Sequence, residues 1–413
     1  MAVPKLRFKE FDRDLTESKL VELTLWASGG TPAKDIPEYW GDDIPLISGA
    51  SMHTNQLYES DVKITRLGLQ KGSKLAPKDS ILILVRGSML FNKIPMGITL
   101  GDVAFNQDVK CIRPKQELAP QFLFQWLHAK ENTIQNKVTA TGIGAGKLDT
   151  ADLQNLKLYK PSSEEQTKIA SFLSNVDEKI SQLTQKHELL SQYKQGMMQK
   201  LFSQQIRFKA DDGSEFGEWK ETKFLNLMED LWDYRGKTPK KLGMDWGNGE
   251  IQSLSALNIK KGFIDFDADC HLGSEDLYKV WMNKGDLVKD DIIFTMEAPL
   301  GNVALVPDDR KYILSQRVVC FKTNKKCVFN PFLFQLILSD QFQNRIDELA
   351  TGTTAKGINQ KSMQKIDVKI PSLEEQTKIA NFLSTIDQKI EVVAQQIEQA
   401  KQWKKGLLQQ MFV

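Results

Sequence analysis

The 413-residue chain reads as a mixed α/β (α+β) protein built twice, in the order globule, long helix, globule, long helix. Three observations predict this. The stretch PSSEEQTKIASFLSNVDEKI (161–180) returns as PSLEEQTKIANFLSTIDQKI (371–390), identical at 15 of 20 positions and offset by 210 residues. Strand-like apolar runs punctuated by Gly, Pro and Asn precede each copy. Within and beyond each copy, apolar residues recur in steps of three and four, the helical period. An offset of 210 residues far exceeds the roughly 20–50 residues of solenoids and propellers, so a whole domain-sized unit is duplicated.

The repeat extends upstream. FLFQ at 122–125 answers FLFQ at 332–335, and TG at 141–142 answers TG at 351–352, both at the same offset. FNQDVKC (105–111) matches LSQRVVC (314–320) at offset 209, and GTP (30–32) faces KTP (237–239) at offset 207. LRFK at 6–9 is echoed by IRFK at 206–209. Such drift is what short insertions in surface loops produce. Within the globules, SILILV (80–85), DDIIFTM (290–296) and RVVCF (317–321) predict strands. FLFQWLHA (122–129) and FLFQLILSDQFQNRI (332–346) predict helices whose apolar positions are core.

Each long helix carries a start signal. Ser162 with Glu165, and Ser372 with Glu375, have the spacing of a capping box just after a proline. The first helix then places Leu173, Val176, Ile180, Leu183, His187, Leu190, Lys194, Met197 and Leu201 on one stripe. The second places Leu383, Ile386, Ile390, Val393, Ile397, Ala400, Lys404, Leu407 and Met411 at the same spacing. A heptad seam over about four heptads predicts a coiled coil; the alternative is a helix lying on its own globule. Lys194 and Lys404 stand in the seam at equivalent places, where a polar residue weakens packing and sets register. A helix over 164–202 spans about 58 Å at roughly 1.5 Å per residue, on the order of one and a half turns of duplex DNA.

With 55 basic against 53 acidic residues and a net charge of +2, the composition argues against a wholesale polyanion binder but leaves room for local basic loops. No apolar run reaches the roughly 18 residues of a membrane span. The N-terminal MAVPKLRFKEFDRD lacks the apolar core of a signal peptide, so a soluble, cytoplasmic protein without a membrane partner is expected. Cys111, Cys270, Cys320 and Cys327 show no CxxC spacing and no accompanying His cluster, which reads as reduced, mostly buried thiols with neither zinc nor disulfides.

No catalytic motif survives inspection. GIGAGKL (142–148) departs from a phosphate-binding loop at Thr141 and Leu148, and its counterpart GTTAKGI (352–358) keeps nothing of it. NPF (330–332) lacks the second proline of the adenine-methyltransferase motif, is answered by APQF (119–122), and reads as the start of a helix. His53, His128, His187 and His271 match no hydrolase or metalloenzyme pattern. Neither a catalytic residue nor a metal site is expected.

The doubled P-S-x-E-E-Q-x-K-I-A opening, the GTP and KTP loops, Gln107 and Gln316 together resemble the specificity subunit of type I restriction-modification systems, over essentially the full chain. The resemblance implies target-recognition domains at 1–160 and 206–370, a central long helix at 161–205 and a C-terminal one at 371–413. The helices would pair as an antiparallel coiled coil with pseudo-twofold symmetry, a ruler between two readers of a bipartite DNA sequence. Implied partners are double-stranded DNA, two methyltransferase (modification) subunits and two restriction (translocase and nuclease) subunits. S-adenosylmethionine, ATP and Mg are expected on those partners, with no cofactor and no catalysis in this chain.

Base reading and phosphate contact call for Arg, Lys, Asn and Gln on loops. In the first domain the candidates are Lys34, Arg86, Ser88, Asn92, Lys93, Asn106, Gln107 and Lys147; in the second, Arg235, Lys237, Lys240, Lys241, Gln316, Arg317 and Lys356. Each also reads as a solvated charge or a turn residue. The alignment sets Arg86-Gly87 against Met296-Glu297, where Glu297 either accepts from a cytosine amino group or caps a turn. Two rival classes stand beside this reading. One is a non-catalytic coiled-coil scaffold binding proteins, against which the basic cluster at 235–241 speaks; the other is a self-sufficient methyltransferase or nuclease.

Overall fold

The computed structural model describes residues 4–142, 144–352 and 355–412; Ile143 of the GIGAGKL loop and Thr353 and Thr354 of its counterpart lie outside them. Two compact units emerge, one from residues 1–184 with 394–413 and one from 185–393. They cut across the linear segments 1–160, 161–205, 206–370 and 371–413, because each unit takes one half of both long helices.

The first unit holds a five-stranded sheet in the order Thr24–Ser28, Val109–Pro114, Ile81–Leu84, Met96–Thr99, Gln56–Leu57. Its central ILIL strand is buried at every position, as a strand covered on both faces must be. The helix Pro120–Ala129 packs on this sheet with FLFQWL wholly buried. A second sheet, ordered Lys63–Ile64, Trp40–Ile47, Val103–Phe105, Lys74–Ala76, contains a parallel pair.

The second unit repeats the plan with fewer strands. Met228–Asp233, Val318–Thr323, Ile292–Thr295 and Val303–Leu305 form an antiparallel sheet, and Leu272–Gly273, Ile251–Leu254 and Ile313–Leu314 form a smaller one around an equivalent parallel pair. Cys111 and Cys320 occupy the same place, opposite Leu82 and Ile293, and burial pushes both thiols up. Cys270 and Cys327 are unpaired and half-buried.

One predicted helix divides. FLFQLILSDQFQNRI becomes Asn330–Leu338 and Asp340–Leu349, because Ser339 takes an extended backbone and its hydroxyl accepts from Phe342 N at 3.3 Å. NPF does open a helix, with Pro331 in the first turn, where its missing N–H costs nothing.

The long helices run Ser163–Phe202 and Leu373–Met411. Only half of each capping box forms: Glu165 N donates to Ser162 Oγ at 3.3 Å and Glu375 N to Ser372 Oγ at 3.4 Å. The glutamate side chains turn elsewhere. Arg7 donates to Glu165 through Nε and Nη2, both at 2.7 Å. Arg207 grips Glu375 at 3.0 and 2.7 Å, joined by the Trp219 indole at 3.2 Å. These bonds hold both guanidinium pKa values above the ordinary arginine value. The LRFK and IRFK echoes are therefore two copies of one clamp on a buried carboxylate. The following glutamine is duplicated in role as well: Gln166 Oε1 accepts from Ala119 N and Gln376 Oε1 from Phe329 N, each at 2.8 Å.

Within the first unit, the opening half of the first long helix pairs antiparallel with the end of the second. Lys404 Nζ donates to Asp177 at 2.6 Å, and Ile169, Leu173 and Val176 share a core with Leu407 and Met411. Within the second unit, Lys194 meets Asp387 at 2.6 Å, while Leu383 and Ile386 share a core with Met198 and Leu201. Leu183 and Val393 are also buried; Ile180, Leu190, Ile390 and Ile397 are half-buried. Both readings of the helices thus hold, since each lies on a globule and also pairs.

The seam lysines do more than loosen packing. Each finds an aspartate of the opposite helix, and that aspartate also accepts from a glutamine of FLFQ: Gln125 to Asp177 and Gln335 to Asp387, both at 2.8 Å. Removing one partner of a buried ion pair leaves the other charge uncompensated. Glu375→Ala is expected to destabilise the second unit by about 3 kcal/mol. The exposed neighbour Glu374→Ala should be near neutral, and urea unfolding of the two variants checks the difference.

Candidate nucleic-acid interface

In the first unit the predicted readers fall along one edge. Gly30 N donates to Phe105 O at 3.0 Å, and a Cβ on Gly29 would stand 2.1 Å from that oxygen. Glycine is required for this approach, which seats the Thr31-Pro32 turn beside Gln107. Thr31 Oγ1 donates to Gln107 Oε1 at 2.8 Å, with exposed Lys34 just beyond. Asn106 Oδ1 accepts from Asp108 N at 3.1 Å. The carbonyl of Asp108 accepts from Val85 N at 2.8 Å, which brings Arg86 alongside. Arg86 stands opposite Lys147 in a short antiparallel ladder. Ser88 opens the turn Ser88–Phe91, and Asn92 and Lys93 close it through bonds to Met89 O.

The second unit builds the same edge, keeping the Thr-Pro turn and the glutamine but changing the residues around them. Lys237, Thr238, Lys240 and Gln316 line one cleft of about 500 Å³. Trp246, stacked on His271 at 5.0 Å and 14°, also faces it. Sequence reasoning missed that pair, since a lone aromatic among glycines and a lone histidine each read as ordinary loop or core. Arg317 has a left-handed backbone (φ 64°), and its carbonyl accepts from Met296 N at 2.9 Å. Glu297 bridges to Gly357, beside Lys356.

This geometry corrects the alignment of the two edges by one residue. Val85 donates to Asp108 O and accepts from Leu148 N, while Met296 donates to Arg317 O and accepts from Ile358 N. Met296 therefore answers Val85, both buried, and Glu297 answers Arg86, both exposed. An insertion upstream moved the offset to 211 along that strand, and composition alone gave no signal of it.

The family model for the type I restriction modification DNA specificity domain matches residues 13–192 and 219–402. The chain belongs to this family. It is 27% identical to the putative type I restriction enzyme MjaX specificity subunit of Methanocaldococcus jannaschii, over 98% of this chain and 94% of that protein. It is 29% identical to the EcoR124I/EcoR124II specificity subunit of Escherichia coli, over 44% of this chain and 45% of that one. The fold is shared with the type I restriction-modification S subunit from M. genitalium at a TM-score of 0.61 and 16% identity, covering 100% and 99% of the two chains. As a type I specificity subunit, the chain serves DNA target recognition.

Not every candidate of this specificity subunit is free to meet a ligand. Arg235 is held bidentately by Asp233, Nε donating to Oδ1 at 2.9 Å and Nη2 to Oδ2 at 2.6 Å. Burial works against that carboxylate, but the arginine bonds outweigh it and keep its pKa low. Lys237 turns inward to Trp281 O at 3.0 Å and the Tyr234 ring at 4.7 Å, and burial lowers its amine pKa. Lys241 donates to Gly236 O at 2.7 Å, and Lys356 pairs with Asp347 at 3.5 Å. Among the described residues, the side chains of Lys34, Arg86, Ser88, Asn92, Lys93, Lys147, Lys240, Gln316 and Arg317 make no hydrogen bond or ion pair. Among those residues, too, no helix is long and apolar enough to cross a membrane, and no three His, Cys, Asp or Glu side chains gather into a metal site.

Free cations neutralise phosphates and paired ones do not. In the assembled complex, Lys34→Ala and Lys147→Ala should each weaken DNA binding evenly across sequences and lower the salt slope by about 0.9. Arg235→Ala should leave that slope unchanged. Anisotropy titrations over a range of salt concentrations check both.

Proposed function

We propose that this chain reads a bipartite double-stranded DNA target, one half-site by each unit, and docks the modification and restriction subunits that act there. The observation that carries this reading is a contrast. The two units keep the same framework contacts, Arg7–Glu165 with Arg207–Glu375 and Gln125–Asp177–Lys404 with Gln335–Asp387–Lys194. Their exposed edges keep the Thr-Pro turn and one glutamine, Gln107 and Gln316, but differ around them: Arg86 against Glu297, Asp108 against Arg317 and Lys147 against Gly357. Elements that grip each other and identical partners must stay alike, whereas readers of two different half-sites must not.

The paired long helices serve in this reading as the ruler for the unread gap. Two methyltransferase subunits would supply S-adenosylmethionine chemistry on adenine, and two restriction subunits ATP- and Mg-dependent translocation and cleavage. A near-neutral recognition chain fits such an assembly, because part of the phosphate neutralisation can come from partners.

Modified adenines mapped genome-wide, with and without this gene and beside its methyltransferase partner, test the proposal. A bipartite motif with a fixed gap that disappears on deletion is expected; an unchanged methylome in an active system rejects it. Replacing residues 1–160 with those of a relative of different specificity should change one half-site and leave the other intact. Adding one heptad to both long helices, between Val176 and Leu190 and at the equivalent place in the second, should lengthen the gap with both half-sites preserved. An unaltered gap would refute the ruler.

A further inference from the structure

The strand-end position that carries Arg86 in the first unit carries Glu297 in the second. The identity of place rests on backbone bonds on both sides. Val85 N reaches Asp108 O at 2.8 Å and Met296 N reaches Arg317 O at 2.9 Å; Leu148 N reaches Val85 O and Ile358 N reaches Met296 O, both at 2.9 Å. The neighbouring position is reversed as well, Asp108 in one unit and Arg317 in the other. Each edge therefore has one cation and one anion at these two places, in opposite order.

None of these four side chains makes a hydrogen bond or ion pair among the described residues, although Asp233, Asp347 and other nearby charges do. Room is made for the acidic version. A Cβ on Gly357 would stand 3.2 Å from Glu297 Cβ and 3.8 Å from its Oε2, in the place where the first unit has Lys147 opposite Arg86.

We propose that Arg86 and Glu297 are specificity-determining residues of opposite polarity, Arg86 donating to a guanine in one half-site and Glu297 accepting from a cytosine amino group in the other. This deepens the DNA-reading function proposed above and rests on it. A guanidinium fork matches the two acceptors, O6 and N7, on the guanine edge. A carboxylate accepts from the cytosine N4 amino group, whereas adenine sets its N7 acceptor beside its amino group, and guanine and thymine offer a carbonyl oxygen. Near phosphates an unpaired carboxylate is repelled, so its presence on this edge selects against every base that cannot donate to it.

The test uses the intact complex. Modified-adenine mapping in cells is run for wild type, R86A, E297A and the reversals R86E and E297R. Purified complexes are then titrated with DNA carrying all four bases at each half-site position, which gives a readout for variants that no longer methylate. E297A should lose roughly 5- to 150-fold discrimination at a single cytosine of one half-site, and R86A the same at a single guanine of the other. E297R should prefer guanine where wild type takes cytosine, and R86E the converse. Wild-type discrimination retained at every position by both alanine variants overturns the assignment. So does an even loss of binding across all probes, which marks a phosphate or structural role. A wild-type complex without sequence preference would overturn the DNA-reading function itself, a result distinct from either.

Discussion

The carboxylate of Asp177, repeated as Asp387, is the constraint on which the helical framework turns. It accepts from a glutamine on a globule helix and from a lysine on the opposite long helix, so a single side chain joins three helices. Apolar seams slide and tolerate neighbouring registers, because burial is not directional. A lysine facing an aspartate resists a slip, since a shift of one turn separates the two charges and leaves the mostly buried lysine without its partner. The pairing register of each half-seam therefore follows from two charges rather than from the leucines around them.

The Arg–Glu clamps complete the framework at the other end. Glu165 and Glu375 are almost fully buried, and Arg7 and Arg207 reach them from segments 158 and 168 residues away in the chain. A buried carboxylate without its arginine would be left an uncompensated charge, so the start of each long helix is coupled to the docking of a distant segment of chain. This explains why so short an echo as LRFK and IRFK persists. It also explains the repeated E-E-Q. Its second glutamate is the clamp, its glutamine bonds the loop leading into the globule helix, and its first glutamate is exposed in the first turn, where the helix dipole favours it.

Against that shared framework, the two edges differ at several exposed positions. Glycines bring backbone close to backbone at Gly29 and Gly30, turns present short polar side chains, and the proposed reading positions sit where strands end. A substitution there changes chemistry without touching a core, and the exchange of Arg86 for Glu297 shows how far that freedom extends. The inward turn of Lys237 and the Asp233 clamp on Arg235 show its limit, because residues of the right type in a basic cluster are also used to hold the loop itself.

The duplication, the mixed α/β character, the two long helices with their starts and the seam are all legible in the order of residues, because periodicity and repetition are properties of local order along the chain. That order also brought the family resemblance into view, and the three strands named from apolar runs lie where those runs predict. The tertiary structure alone decided which charges face which. Seam lysines acquire aspartates, capping-box glutamates turn to arginines, Ser339 breaks a helix, and Glu297 rather than Met296 stands where Arg86 does. Ser339 apart, which bonds Phe342 three residues on, each depends on partners scores of residues away or on insertions that carry the offset from 207 to 211, so a side chain's partner is set largely by the packing of distant segments.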